Sequence, residues 1–414
     1  MLNWGGNVDF GGAEIVHPTQ FDELAAMMAA ASRCRALGSR HSFNDISTAA
    51  TVIDTSALPK TFSIADDRST VAVTGSATYG WLIEQLIPHE LALKNTASLP
   101  HISIAGAVAT GTHGSGDQNQ NLAASVSRVR ILRGDGESIE LDRGDPDFAG
   151  AVVGLGALGI VTEVVLDVVP TFDVEQRVFD GPDLATLATL VDTVFAAGYS
   201  VSVFTHWQGG VEQIWVKHRV GDVVPDASEA LLDSLVPAQV RQHPILGLDA
   251  SGCTEQFGIR GRWCDRLPHF QMGFTPSAGN EIQSEFFVDR RHAAEAIEAM
   301  TSIGSDIADA LMVGEIRTVA GDDMWMSPHT GRDSLAFHFT WHPDQELAEA
   351  AANSVADALD SFAVRPHWGK VFDPERLDLN QYERRHDFLD LVTRMDPAGK
   401  FRNAWFDTVL RHPS

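Results

Sequence analysis

A chain of 414 residues with 44% hydrophobic and 21% charged side chains has the composition of a globular protein, which excludes a disordered one. Fifty-six acidic against thirty basic residues leave a formal charge of −26 at pH 7, which disfavours nucleic-acid backbones and anionic membrane surfaces as partners. Cys34, Cys253 and Cys264 are odd in number and widely spaced, so neither a disulfide framework nor a metal site is expected.

No stretch approaches the roughly 18 apolar residues of a membrane span, and the start of the chain lacks a basic, apolar leader, so a cytoplasmic protein is expected. In chain order, Glu14 to His17 reads as a strand and Thr19 to Arg33 as a helix opened by a Thr19/Asp22 capping pair. Strands Thr51–Asp54 and Val71–Thr74 and a helix Tyr79–Leu86 follow, the mixture of an α+β domain. From Ser98 to Gly116 the chain is poor in charge and rich in Gly, Ala, Ser and Thr, as in a loop that lets backbone approach a ligand. Strands Val126–Leu132, Ser138–Leu141 and Ile160–Val169 end at Pro170, where a domain boundary is expected.

Gly154-Leu-Gly-Ala-Leu-Gly159 matches the dinucleotide pattern G-x-G-x-x-G, but that fingerprint needs a strand before it and a helix after. Here a strand follows, so a turn is the better reading. The region from Val174 to Met272 has strands at Ser200–Thr205 and Gln213–His218 and a Pro-rich stretch at 224–248, without a legible topology. Beyond it the pattern sharpens. Strand Gln283–Val288, helix Asp289–Ala308, strands Leu311–Val319 and Leu335–Trp341, helix Pro343–Phe362 and strand Arg365–Trp368 spell a split β-α-β-β-α-β unit.

Alternation along these strands puts Gln283 with Glu285, Glu315 with Arg317, and His338 with Thr340 on one face. Phe286, Val288, Met312, Ile316, Leu335, Phe337, Phe339 and Trp341 form the other, the face for two helices to cover. A polar face of mixed acceptors and donors is either a solvated sheet surface or a site for a planar or polyhydroxylated ligand. Upstream, Gly38-Ser-Arg-His-Ser-Phe-Asn44 places a histidine in a small-residue loop after the strand Arg35–Leu37, and amides of such a loop, or of Ser103 to Ala109, can hold phosphates.

Seven motifs in order carry a resemblance: Gly38–Asn44, Ala97-Ser-Leu-Pro-His-Ile-Ser103, Gly106 to His113, Glu315-Ile-Arg317, His338-Phe-Thr340, Arg365-Pro-His-Trp-Gly-Lys370 and Asp396-Pro-Ala-Gly-Lys-Phe-Arg-Asn403. Together they resemble the vanillyl-alcohol-oxidase superfamily of flavoproteins from end to end, with the alditol (xylitol) oxidases as the nearest match. The resemblance implies a two-domain α+β flavoprotein. Residues 1–170, completed by 371–414, would bind FAD, and 171–370 would form a substrate domain whose antiparallel sheet roofs the flavin.

It further implies that His41 carries FAD covalently, and that Gly38, Ser39, Arg40, Ser42, Ser98, Ser103, Gly106, Ala107, Val108, Ala109, Val161 and His367 lie against the cofactor. Arg40 stands where close relatives have a small residue. Ser98, Glu315, Arg317, Thr340 and Lys370 would hold a polyol, with Arg317 and Lys370 polarising its C1 hydroxyl, Glu315 beside them and His338, if neutral, accepting the hydroxyl proton. The implied activity is oxidation of the terminal hydroxyl of xylitol, sorbitol or similar alditols to the aldose, with O2 reduced to H2O2, by a monomer without metal. Gln381-Tyr-Glu-Arg384 departs from the Tyr-Pro expected after Lys370, so a sugar-lactone oxidase or dehydrogenase stays open. A flavin- or sugar-binding protein without turnover is the third reading.

Overall fold

The computed structural model describes residues 1–274 and 280–411. The first helix is shorter than expected, Phe21–Ala30, because Ala31 turns to an extended backbone. Its entry is fixed by Thr19 donating to Glu23 through both N and Oγ1, not by a Thr19/Asp22 pair. Strands Glu14–Val16, Thr51–Asp54 and Cys34–Leu37 form a small parallel sheet with Thr51–Asp54 in the middle.

A five-stranded antiparallel sheet follows in the order 62–64, 70–74, 160–167, 126–132 and 138–142. The strand expected over Ile160–Val169 stops at Asp167, and Val169–Pro170 pairs separately with Leu91–Ala92. Val73, Val129 and Val164 of this sheet share one core with Leu82 and Ile104 of the preceding helices and with Phe388, Leu391, Trp405 and Phe406 near the C-terminus. The chain therefore returns to its first half to complete that core, through helices Arg385–Met395 and Ala404–Val409.

Between them lies an eight-stranded antiparallel sheet in the order 261–262, 173–179, 213–219, 200–205, 311–319, 334–341, 282–289 and 365–366. Its second half is the expected split unit, with helices Ala293–Ser302 and Gln345–Leu359 shorter than the sequence pattern because 3-10 turns flank them at 290–292 and 360–362. Together with helix Leu184–Phe195 they bury Phe286, Val288, Ile316, Leu335, Phe337, Phe339 and Trp341, and the Phe339 and Trp341 rings stack at 4.9 Å. Met312 is the exception. A register shift between Leu311 and Val313 breaks the alternation there, so Leu311 packs under the helices and Met312 lines the opposite, cavity side.

The segment 98–116 is not a loop throughout, since Ile104–Ala109 forms a short helix. Gly154–Gly159 links helix Phe148–Val152 to strand Ile160–Asp167, the reverse of a dinucleotide-binding order. Its Leu155 and Gly156 take positive φ, and the buried Arg35 donates to the carbonyls of Leu155, Gly156 and Phe401, clamping this turn to the C-terminal tail. All three cysteines are buried and free. No helix among the described residues is long and apolar enough to cross a membrane.

Candidate active site

The polar face of the large sheet and the loop 38–44 open onto one cavity of about 520 Å³. Its lining includes Ala36, Gly38, Ser39, Arg40, His41, Ser42, Ser103, Gly106, Ala107, Ala109, Gly156 and Val161, together with Ser98, Glu285, Glu315, Arg317, His338, Thr340, His367 and Lys370. Every site residue expected from sequence lines it except Val108, whose side chain turns into the core of the first domain's helices and sheet.

At the loop end the fit is close. A Cβ on Gly38 would lie 2.2 Å from Ser103 Oγ, and one on Gly106 2.7 Å from the same atom, so only glycine lets the two segments meet. Ser39 Oγ accepts from the Ser103 amide at 3.0 Å. The Ile104 and Ala105 amides, at the helix start, are already bound to the Ala77 and Gly75 carbonyls, which removes two of the expected phosphate donors. Arg40 holds a left-handed backbone (φ 62°), a conformation that residues with a Cβ adopt only rarely.

His41 stacks on Trp4 at 5.0 Å, and its Nε2 lies 2.7 Å from His101 Nε2. Its Nδ1 is buried with no partner among the described residues. Burial first, then His101, lowers its pKa to about 3, so the ring is neutral.

The roof is built by register. Glu285 pairs with His338 on the neighbouring strand, and His338 in turn with Glu315, so three ionisable side chains stand in a row across three strands, one residue wide. Glu285 is the hub. Its carboxylate accepts from Arg317 at 2.5 Å and from Lys370 Nζ at 2.8 Å, and His113 Nε2 lies 3.2 Å away. Burial alone raises a carboxyl pKa, yet Lys370, Arg317 and His113 hold that of Glu285 well below the carboxylate range. Glu315 is likewise held low against burial, by Arg317 and His269. The Glu315–Arg317 contact is only 3.7 Å, so Arg317's working partner is Glu285.

Lys370 is placed by the turn after the edge strand Arg365–Pro366, its amide bonded to the His367 carbonyl and the next amide, Val371, to Gln283. Its ammonium lies 2.6 Å from His338 Nδ1. Burial first, then Lys370, pulls His338 down to about 4, so the ring is neutral as expected. The expectation that it accepts the hydroxyl proton meets an obstacle. Lys370 occupies Nδ1, and in a neutral ring with Nδ1 bare the hydrogen sits on Nε2, making that atom a donor toward Thr340 and the cavity.

Four participants were not named as site residues from sequence. Glu285 was legible, since it shares a face with Gln283 and alternates toward the same side as Glu315. His113 lay inside a motif of small residues. His269, 2.9 Å from Glu315, and Lys217, 3.0 Å from His269, come from the stretch whose topology the sequence did not reveal.

A cavity with a tight glycine-serine cradle at one end, an unpartnered buried imidazole nitrogen beside it and a charged roof at the other suits an elongated nucleotide cofactor with a reactive ring under the roof. Residues 13–142 match the FAD binding domain family, and residues 277–409 match the D-arabinono-1,4-lactone oxidase family. The fold is shared with cholesterol oxidase from B. sterolicum, at a TM-score of 0.78 over 99% of this chain and 96% of that one with 14% identity. The chain thus carries a match to an FAD-binding domain within a fold shared with that oxidase.

The chain is 42% identical to an alditol oxidase of Streptomyces sp., over 99% of both chains. It is 29% identical to an L-gulono-1,4-lactone dehydrogenase of Mycobacterium tuberculosis, over 99% of this chain and 98% of that one. It belongs to the alditol oxidase family of FAD-dependent enzymes.

Proposed function

We propose that this enzyme oxidises the terminal CH2OH of xylitol, sorbitol or a similar alditol to the aldose, with O2 as electron acceptor. When bound, FAD would supply the hydride acceptor, and O2 would take up the electron pair with two protons as H2O2. The observation that carries the reading is the row Glu285, His338 and Glu315 with Arg317 and Lys370, all facing the cavity that His41 enters from the other side.

A neutral polyol offers hydroxyls that both donate and accept, and this row offers both. Glu315 accepts. Thr340, Ser98 and the Nε2 hydrogen of His338 face the same space. Arg317 and Lys370, with Glu285 balancing them, lower the cost of negative charge on the C1 oxygen as its proton passes to water in the cavity, and of charge arriving at the cofactor. Preorganised cations at a developing charge contribute about 3 kcal/mol to such a barrier.

His41 is the residue for a covalent bond to the cofactor's 8α-methyl group. Its neutral ring and unpartnered Nδ1 support this assignment. The small-residue cradle of Gly38, Ser39, Ser42, Ser103 and Gly106 is where the FAD phosphates fit, with Val161 and His367 nearer the ring. Residues 1–170 with 371–414 form the cofactor domain and 171–370 the substrate domain, the first core drawing in addition on Trp263, Met326 and Trp368 from the latter. The protein works as a monomer in the cytoplasm.

Anaerobic bleaching of the flavin on addition of xylitol is the deciding experiment; failure with every alditol, or bleaching by sugar lactones alone, refutes the reading. His41→Ala should abolish the acid-stable yellow colour of precipitated protein, and colour that stays with the variant removes His41 as the attachment point. Arg317→Ala should slow anaerobic reduction by roughly a hundredfold or more with FAD still bound.

A further inference from the structure

Behind the cavity wall runs a chain of ionisable groups that the reaction as described does not use. Lys217, on strand Gln213–Arg219, is 1% exposed, and among the described residues its ammonium has no carboxylate in contact. It donates to the Leu267 carbonyl at 2.5 Å and faces His269 Nδ1 at 3.0 Å, while His269 Nε2 lies 2.9 Å from Glu315 Oε1. A buried charge without a counter-ion costs several kcal/mol, so an apolar residue would serve a purely structural purpose better.

The chemistry of the three groups fixes their hydrogens. The Glu315 carboxylate can only accept, so His269 must carry its hydrogen on Nε2. In the neutral ring Nδ1 is then bare, and Lys217 donates to it. Protonating His269 would put a second hydrogen on Nδ1, against the lysine. Burial first, then Lys217, accordingly lowers His269 to about 4, and burial lowers Lys217 itself to about 7.

We propose that Lys217 and His269 are positioning residues for the substrate: the lysine keeps His269 in the one neutral tautomer that donates to Glu315, so Glu315 meets the polyol as a fully charged, fixed acceptor with Oε2 free of any donor among the described residues. Were His269 an imidazolium, its full positive charge would offset that of Glu315 and weaken its grip on a hydroxyl. The charged and titratable groups around the pair are Glu315 and Arg317 from the 311–319 strand and Cys253 from the segment opposite. Arg317 adds to the lysine's effect, and Glu315 opposes it.

The inference deepens the polyol reading and rests on it for the substrate. Its test uses purified FAD-loaded protein, wild type against Lys217→Met, Lys217→Gln, His269→Gln and His269→Phe, in two arms. In the first, imidazole resonances of histidine-labelled protein are followed from pH 8 to 4.5, with His269→Gln supplying the assignment. His269 should stay neutral to near pH 4.5 in wild type and titrate at clearly higher pH once the lysine is Met. A His269 that titrates identically in both overturns the proposal, whatever the substrate proves to be.

In the second arm anaerobic flavin reduction is measured against xylitol concentration. The apparent Kd should be flat from pH 8 to 5.5 in wild type and rise roughly tenfold on acidification in Lys217→Met, with the limiting rate far less affected. His269→Phe should raise Kd by a similar factor at every pH, and His269→Gln, which keeps a donor toward Glu315, should recover most of it. Lys217→Gln, which keeps an N–H donor without the charge, separates loss of the hydrogen bond from loss of charge. Equal losses in Kd and rate across all variants would mark the pair as scaffold and overturn the proposal. Wild-type flavin that no alditol reduces defeats the substrate reading, and with it the proposal's claim on the polyol.

Discussion

At the scale of single residues, Glu285 holds the site together. It is 1% exposed and balances Arg317 and Lys370 at once. Glu285→Gln leaves two buried cations short of a counter-charge, so it should cost about 3 kcal/mol of stability and slow flavin reduction together. Urea unfolding of the variant checks the first, and an unchanged midpoint would contradict it. The acid side can be read from the histidines. His269 and His338 are held near 4, and His329 and His367 well below their ordinary value, by burial first. Unfolded histidine takes up a proton below about 6.5 and these folded ones do not, so unfolding absorbs protons and stability falls as pH drops from about 6.5 toward 4. The carboxylates Glu285 and Glu315, whose folded pKa values are depressed, add a further loss only below about 4.3. The melting temperature should therefore decline between pH 6.5 and 5, before Glu285 and Glu315 titrate and although Asp322, whose carboxyl burial raises to about 6, works the other way; a constant value over that window would count against the buried neutral rings.

At the scale of elements, the contact between loop 38–44 and the turn carrying Lys370 joins the cofactor end to the roof. Phe43 donates to the Gly369 carbonyl at 2.7 Å, and Asn44 Nδ2 donates to the carbonyls of Trp368 and Lys370. Asn44→Ala frees that turn and should reduce the flavin-reduction rate roughly tenfold while His41 stays flavinylated, since one or two hydrogen bonds position Lys370. A rate equal to wild type would show that the turn is held elsewhere. This junction was not legible in the sequence, because its partners are backbone carbonyls more than 300 residues away. The roof was legible, since period-two alternation in three strands exposed its polar side. The misplaced Met312 shows the limit of that signal: a bulge changes the phase of a strand without changing its composition.

At the scale of the whole molecule, the C-terminal segment closes a core begun more than three hundred residues earlier. Phe388, Leu391, Trp405 and Phe406 pack with the first sheet, Asn403 donates to the carbonyls of Asp45 and Thr48, and the Cys34 amide donates to Lys400. Truncation after residue 384 should yield protein that neither folds stably nor retains FAD; a folded, yellow truncation product would disprove the dependence. The sequence reached this closure only through its resemblance to known flavoproteins, because hydrophobic periodicity marks an element's buried face but not which core receives it. Strand register carries one more consequence. Each roof strand has charge on one side and Phe, Trp or Leu on the other, so pairing one residue out of step would press Glu285, His338 and Glu315 into aromatic packing and turn the rings toward the cavity. Mispaired assembly is thereby self-defeating, and the polar groups that we propose serve turnover double as a proofreading device while the sheet forms.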